Sequence, residues 1–303
     1  MALDTVGFKT GARRPNFIAG RRARRRSMAA LHGSAVRPPA VAGLFYPAGA
    51  AALGREVDAL LAAAPGSAEP PPKAVIAPHA GFVYSGPVAA AAYARLRPLR
   101  EKIRRVVLLG PAHRVPFRGM ALPGAAAFRT PLGDIPLDAA ALARLKALPG
   151  IKELPAAHAA EHSLEVHLPF LQRVLARFAL VPILVGDAEP AAVAAVLDAL
   201  WGGPETVIVV SSDLSHYEPY LEARAHDRRT AEAIERFDGR AIGPDDACGC
   251  VPVAGLLAAA RGHGFACARL DLRNSGDTAG ARERGGRDEV VGYGAWAFTG
   301  AAS

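Results

Sequence analysis

Two histidines and an Asp-x-x-His stand just beyond three apolar runs: Ala-Val-Ile-Ala-Pro-His79, Val-Val-Leu-Leu-Gly-Pro-Ala-His113 and Val-Ile-Val-Val-Ser-Ser-Asp213-Leu-Ser-His216. Continuous Val/Ile/Leu runs of this kind are typical of parallel strands buried on both faces. In open α/β sheets, the rim beyond the carboxyl ends of the strands is where ligands bind. Three segments far apart in the chain thus deliver imidazole, imidazole and carboxylate to one edge. That combination suits a metal site or an acid–base site. One strand-end histidine is commonly a solvated loop residue, but two in equivalent positions point to a joint role.

Further polar residues extend the set. Asp213 has three roles open to it: hydrogen bonding an imidazole, ligating a metal, or capping the next helix. His216 has the spacing to reach the same rim as a general acid or base. Cys248, in Asp-Asp-Ala-Cys248-Gly-Cys250-Val-Pro, opens an apolar helix. A thiol at a helix N-terminus is biased toward thiolate, the form that ligates metal or attacks substrate. Cys-x-Cys is not the paired Cys-x-x-Cys of structural zinc, and Cys250 and Cys267 read as packing residues. His158-Ala-Ala-Glu161-His162 matches the inverted zincin pattern His-x-x-Glu-His, which makes a metallohydrolase one reading. A helix there would put His158 and His162 on one face. The polar series runs on to Glu165 and His167, which that pattern does not explain, so Glu161 and His162 stand as rim candidates.

Alternating elements must hold these groups. A loop over 38–47 leads into a helix over 50–64, then a Pro-rich stretch and a strand over 73–78. A turn over 80–86 follows, with Gly81 and Gly86 easing a tight backbone path, and a helix over 87–96 with Pro87 at its first position. Strand 105–110 completes a βαβ unit of expected right-handed crossover. Beyond it the pattern predicts strand 119–122, helices 138–147 and 163–177, strand 178–185, helix 190–200 and strand 206–211. Helices 222–237 and 248–262 precede two closing strands, 267–273 and 289–298. With no internal repeat, this order predicts a single α/β domain with a mostly parallel central sheet flanked by helices.

Composition narrows the function classes. The 303 residues are 51% hydrophobic, enough for a sizeable core, and 21% charged, an ordinary value. The net charge of +8 is uneven: residues 1–27 hold eight Lys and Arg against Asp4, which leaves the remainder nearly neutral. A nucleic-acid groove in the folded body is therefore not expected. The basic segment, residues 1–36, reads as a tail with three meanings open: a disordered arm, a targeting peptide without a secretory apolar run, or an over-extended start with Met28 as initiator. No run reaches the ~18 apolar residues of a membrane span. Three cysteines without a paired framework fit a reducing, cytoplasmic compartment.

Six motifs in order carry a resemblance: Phe-Tyr-Pro (45–47), Ala-Pro-His-Ala-Gly (77–81), Leu-Gly-Pro-Ala-His (109–113), Glu-His-Ser-Leu-Glu-Val-His-Leu-Pro-Phe (161–170), Ser-Ser-Asp-Leu-Ser-His-Tyr (211–217) and Cys-Gly (248–249). Over residues 37–298 the chain resembles the Memo family, whose prokaryotic members are called AmmeMemoRadiSam system protein B. The resemblance implies a fold similar to the LigB-type class III extradiol dioxygenases, with a mononuclear metal in a vestibule. It further implies a metal held by His79, His113 and Cys248, with Asp213 and His216 lining the pocket. The dioxygenases use two histidines and a glutamate for non-haem iron; here a cysteine takes the third place. The expectation is an iron-dependent oxidoreductase, with copper or zinc as other metals, acting on a small organic substrate. A peptide- or ligand-binding vestibule without turnover is the alternative. Cys250, where relatives commonly carry a basic residue, is a departure that offers a second thiol.

Overall fold

The computed structural model describes residues 36–66, 69–279 and 287–300. The basic segment up to residue 35 lies outside the described residues, while Val36, expected in the tail, opens a strand. The strands are β1 (Val36–Arg37), β2 (Ala74–Ala77), β3 (Arg105–Pro111), β4 (Met120–Leu122), β5 (Ala127–Thr130) and β6 (Gly133–Pro136). They continue with β7 (Ile151–Glu153), β8 (Ala179–Val185), β9 (Thr206–Ser211), β10 (His216–Glu218), β11 (Ala266–Asn274) and β12 (Val290–Thr299). The helices are α1 (Ala50–Ala63), α2 (Phe82–Ala94), α3 (Ala139–Lys146), α4 (Pro155–Ala159), α5 (Leu168–Val174), α6 (Pro190–Leu200), α7 (Tyr220–Glu235), α8 (Cys250–Gly262) and α9 (Ser275–Thr278).

The main sheet runs β10-β12-β2-β9-β3-β8-β4-β7, with β11 on β12. Its centre, β2, β9, β3 and β8, is parallel. These are the strands whose residues are buried almost without exception, as their Val/Ile/Leu runs require. The flanks are antiparallel, at β12 against β2 and at β4 against β8. The fold is thus a single α/β domain with a mixed sheet flanked by helices, parallel where it is deepest. A separate small sheet, β1-β5-β6, had no clear signal in its short strands.

Strand order decides the site. β2 and β3 are not neighbours, because β9 lies between them and pairs with both. The three apolar runs that precede His79, Asp213 and His113 are therefore adjacent strands, and their ends share one rim.

Several boundaries differ from expectation for local reasons. Helix α2 starts at Phe82, so Pro87 sits inside it; Gly81 is the N-cap, and Phe82 N–H donates to Phe45 O. Gly81 has an ordinary negative φ, so it is not a left-handed turn residue. Gly86 matters instead for packing, since a Cβ there would lie 2.9 Å from Leu60 Cδ1. The helix expected over 163–177 is reduced to a 3-10 turn, Glu165–His167, and the short α5, because Pro169 enters its first turn and residues 161–164 follow the rim. Helix α8 begins at Cys250 with Gly249 as N-cap, leaving Cys248 in the loop before it.

Candidate metal centre

His79 leaves the end of β2 with its backbone and ring both fixed. Its N–H donates to Asp213 Oδ1 at 2.7 Å, and its Nδ1 lies 2.6 Å from Ser211 Oγ. Ser211 Oγ gives its one proton to Ser163 O at 2.6 Å. It must therefore accept from His79 Nδ1–H, which leaves a lone pair on Nε2. Burial, followed by the neighbouring imidazoles of His113, His162 and His167, holds the His79 ring well below its usual pKa. A neutral ring with a directed lone pair is the form that ligates a metal.

His113 is oriented through a carboxylate. Its Nδ1 lies 3.0 Å from Glu161 Oε1, and its N–H donates to Glu161 Oε2 at 2.6 Å. Glu161 also accepts the backbone N–H groups of Arg114, His162 and Ser163. Burial opposes its charge, but the His113 and His162 rings and the Ser163 N–H outweigh that and hold its carboxyl well below the usual range. An ionised Glu161 obliges His113 Nδ1 to donate, so the tautomer of the ring that can ligate a metal is the one with its lone pair on Nε2.

His162 completes the cluster. Its ring stacks on His113 at 4.8 Å between centroids and stands edge-on to His79 at 5.4 Å. Its Nδ1 is buried 3.2 Å from Glu161 Oε1 but is not aligned for a hydrogen bond. Ligand atoms of His79, His113 and His162 all lie within 4.8 Å of one another, an arrangement that could hold a metal ion. Two forced tautomers and a buried imidazole nitrogen without a hydrogen bond are a donor set that fits a borderline transition metal.

The backbone allows these segments to meet. A Cβ at Gly110 would fall 2.9 Å from Leu164 Cδ2 and 3.0 Å from Ser163 Oγ, so glycine lets the Ser163–Leu164 segment, which follows His162, lie against the end of β3. On the other side, a Cβ at Gly249 would fall 2.6 Å from Ser211 O. That close approach brings Cys248 to the rim. Asp213 N–H donates to Cys248 Sγ at 3.3 Å, and Cys248 N–H returns to Asp213 O at 3.3 Å.

Cys248 Sγ lies 3.4 Å from His79 Nε2 but is not one of the three clustered ligands. The expected bias toward thiolate is overturned. Burial, then the Asp213 carboxylate, push the thiol far up, and the helix starts only after it. A thiolate there needs a bound cation to offset those two effects.

Asp213 is not a helix cap, because the following residues form β10 rather than a helix. It is buried, its Oδ2 lies 3.9 Å from His79 Nε2, and burial raises its pKa. His216 sits exposed on β10 at the mouth. Tyr217 beside it is held at φ +59°, in the left-handed region, with its side chain facing solvent. Together these residues line a cleft of about 650 Å³ whose walls add Phe45, Tyr84 and Tyr293. Cys248 borders a neighbouring cavity of about 490 Å³ instead.

The inverted zincin reading fails on local structure. Helix α4 ends at Ala159, and His158 is buried with Nε2 at 2.9 Å from Ala121 O, away from the cluster. Glu161, a catalytic candidate in sequence, has both oxygens committed to backbone and imidazole donors and does not line the cleft. Its place is to orient His113. Glu165 and His167, in the same motif, are structural: Glu165 accepts from Arg37 and Tyr46, and His167 Nδ1 meets Tyr93 OH. Cys250 and Cys267 pack against the core, and all three cysteines are free. Sequence reasoning missed Ser211, which sets the His79 tautomer, and Arg114, which lines the cleft beside His113. Each stands next to a chosen residue or motif, but serine and arginine are too common on loops to stand out.

Among the described residues no helix is long and apolar enough to cross a membrane. Residues 37–297 match the family model described as Memo-like protein. A MEMO1 family protein of Aquifex aeolicus is 36% identical over 261 residues, covering 81% of this chain and 94% of the relative. One from Methanothermobacter thermautotrophicus is 35% identical over 282 residues, covering 85% and 98%. One from Methanococcoides burtonii is 37% identical over 276 residues, covering 86% and 98%.

Proposed function

Since the chain belongs to the Memo family, we propose that it binds one metal ion at the rim cluster and is an iron-dependent oxidoreductase for a small organic substrate. His79, His113 and His162 would hold the ion, with Cys248 beside His79 within reach as a further ligand. The observation that carries this reading is the three-histidine cluster, in which hydrogen bonds occupy Nδ1 of His79 and His113 and leave Nε2 of each as the nitrogen available to a metal. Imidazole and thiol donors suit iron, copper and zinc alike, and the resemblance to the extradiol dioxygenases favours iron. Bound there, such an ion supplies Lewis acidity and redox chemistry.

The chain's own groups would do the rest. Ser211 and Glu161 fix the orientation of the two rings. Asp213, buried with a raised pKa, holds a proton more readily than an ordinary carboxyl and lies against His79. His216, at the solvent end of the cleft, exchanges protons between that site and water. Three free thiols are compatible with a reducing, cytoplasmic setting.

The test is anaerobic reconstitution with Fe(II), Cu(II) and Zn(II) in parallel, followed by oxygen uptake with a panel of catechols. Oxygen consumption with Fe(II) alone, lost in His113→Ala, is the expected outcome. Stoichiometric iron binding with no oxygen uptake would overturn the oxidoreductase part. It would favour the second reading, a binding vestibule without turnover, which the exposed Tyr217 lining the cleft supports. A metallohydrolase is disfavoured because Glu161 has no free oxygen facing the cleft to serve as base.

A further inference from the structure

The cleft contains a charge that the metal reading does not use. Arg114 follows His113 and lines the same cavity, and its guanidinium has no ion pair or hydrogen bond among the described residues. Its starting point is not loose: Arg114 N–H donates to Glu161 Oε2 at 3.2 Å, the same carboxylate that orients His113. The guanidinium is thus tethered one residue from the proposed ligand. Other arginines have partners: Arg118 lies 3.7 Å from Asp187, Arg37 is buried on Glu165, and Arg287 lies over the Tyr220 ring.

The walls around Arg114 are of the opposite character. Phe45 and Tyr217 line the cavity, and Leu44 and Val83 flank lining residues while standing 81% and 55% exposed. Of the exposed large apolar groups, Tyr217 is itself a lining residue and stands 71% exposed, and such a group at a cavity is more informative than a scattered one. The same cavity is lined by two carboxyl groups, Asp213 and Glu289. Two carboxyls in the same cavity as one guanidinium repel a doubly charged group more than a singly charged one, which favours a monoanion. The planar fork of arginine matches a carboxylate with two parallel hydrogen bonds.

We propose that the cleft selects small organic carboxylates, the carboxylate held by Arg114 and an apolar body lying against Phe45 and Tyr217. The inference rests on the cleft being the substrate site, as above, but not on which metal is bound or on turnover.

The test measures binding to the full-length chain, with and without reconstituted metal, by calorimetry. Three probes share one body: 3-phenylpropanoate, 3-phenylpropanamide and 2-phenylethyl phosphate. The carboxylate should bind about tenfold more tightly than the amide, the ratio one ordinary charge-assisted hydrogen bond supports. Arg114→Gln should erase that ratio and Arg114→Lys should keep part of it. Because Arg114 is exposed and unpaired, neither variant should alter folding. The selectivity should persist in metal-free protein, so failure of the metal reading and failure of this one are separable. Equal binding of carboxylate and amide, absence of saturable carboxylate binding, or a ratio unchanged in Arg114→Gln would overturn the proposal. Tighter binding of the phosphate than of the carboxylate would overturn the choice of a monoanion.

Discussion

The segment 161–167 holds two glutamates and two histidines in seven residues, and the fold sends them to two different places. Glu161 and His162 turn to the rim, where Glu161 gathers backbone N–H groups and the His113 ring. Glu165 and His167 turn to the core, where Glu165 meets Arg37, Tyr46 and the N–H groups of Ala40 and Val41. Both carboxylates are buried, at 2% and 0% exposure, so burial does not separate them. Their partners do. Glu161 faces an imidazole whose other nitrogen is free to ligate, whereas Glu165 faces a guanidinium and a phenol that have no further chemistry to offer. One glutamate orients a site and the other fastens residues 37–46 onto it.

The comparison breaks most easily at Glu165. Glu165→Gln leaves the Arg37 guanidinium buried without its counter-charge, and such a loss costs about 3–5 kcal/mol. The urea midpoint should fall accordingly, while the metal affinity of the remaining folded protein changes little. Loss of metal affinity with an unchanged midpoint would mean that the two glutamates had been assigned the wrong way round.

Glu161→Gln should give the converse pattern. Weakened orientation of His113 typically costs 10–100-fold in metal affinity. Chelator competition would read this directly. A variant that keeps wild-type affinity but unfolds at lower urea would place Glu161 with Glu165.

A partly solvated counterpart sharpens the comparison at smaller scale. His226 on α7 has Nδ1 at 2.7 Å from Glu218 Oε1 and Nε2 at 2.7 Å from Asp246 Oδ1. It links β10, which carries His216, to the loop before Cys248. Burial lowers its pKa, but the hydrogen bonds it donates to both carboxylates outweigh that and raise it. A raised imidazole stabilises the fold in full below its unfolded pKa of about 6.5, and that stability is lost as pH rises through the folded value. The stability gap between wild type and His226→Gln should therefore be widest in mild acid, up to about 1 kcal/mol after solvent screening, and close toward alkaline pH. A gap that widens with pH would contradict this arrangement.

How much of this was readable beforehand follows from the physics of each part. The central strands were legible because burial on both faces demands unbroken apolar runs, and β9 and α6 lie where those runs place them. The rim residues followed from the strand ends. That β9 inserts between β2 and β3 was not legible, since strand order depends on packing across the whole sheet rather than on local pattern. The split within 161–167 was hidden for a similar reason: the helical spacing of His158 and His162 means nothing once α4 ends at Ala159. The short edge strands β1, β7 and β10, of two or three residues each, are too brief for any periodicity to register. Cys248 misled in another way. Its place near a helix start suggested thiolate, but burial beside Asp213 dominates.

The most direct test of the metal centre is metal content by mass spectrometry of protein purified without oxygen, for wild type, His79→Ala and His162→Ala together. About one equivalent of a transition metal is expected in the wild type, as a cluster of mutually close ligands implies, with loss of that metal in both variants. Wild-type metal content in His79→Ala would contradict that expectation.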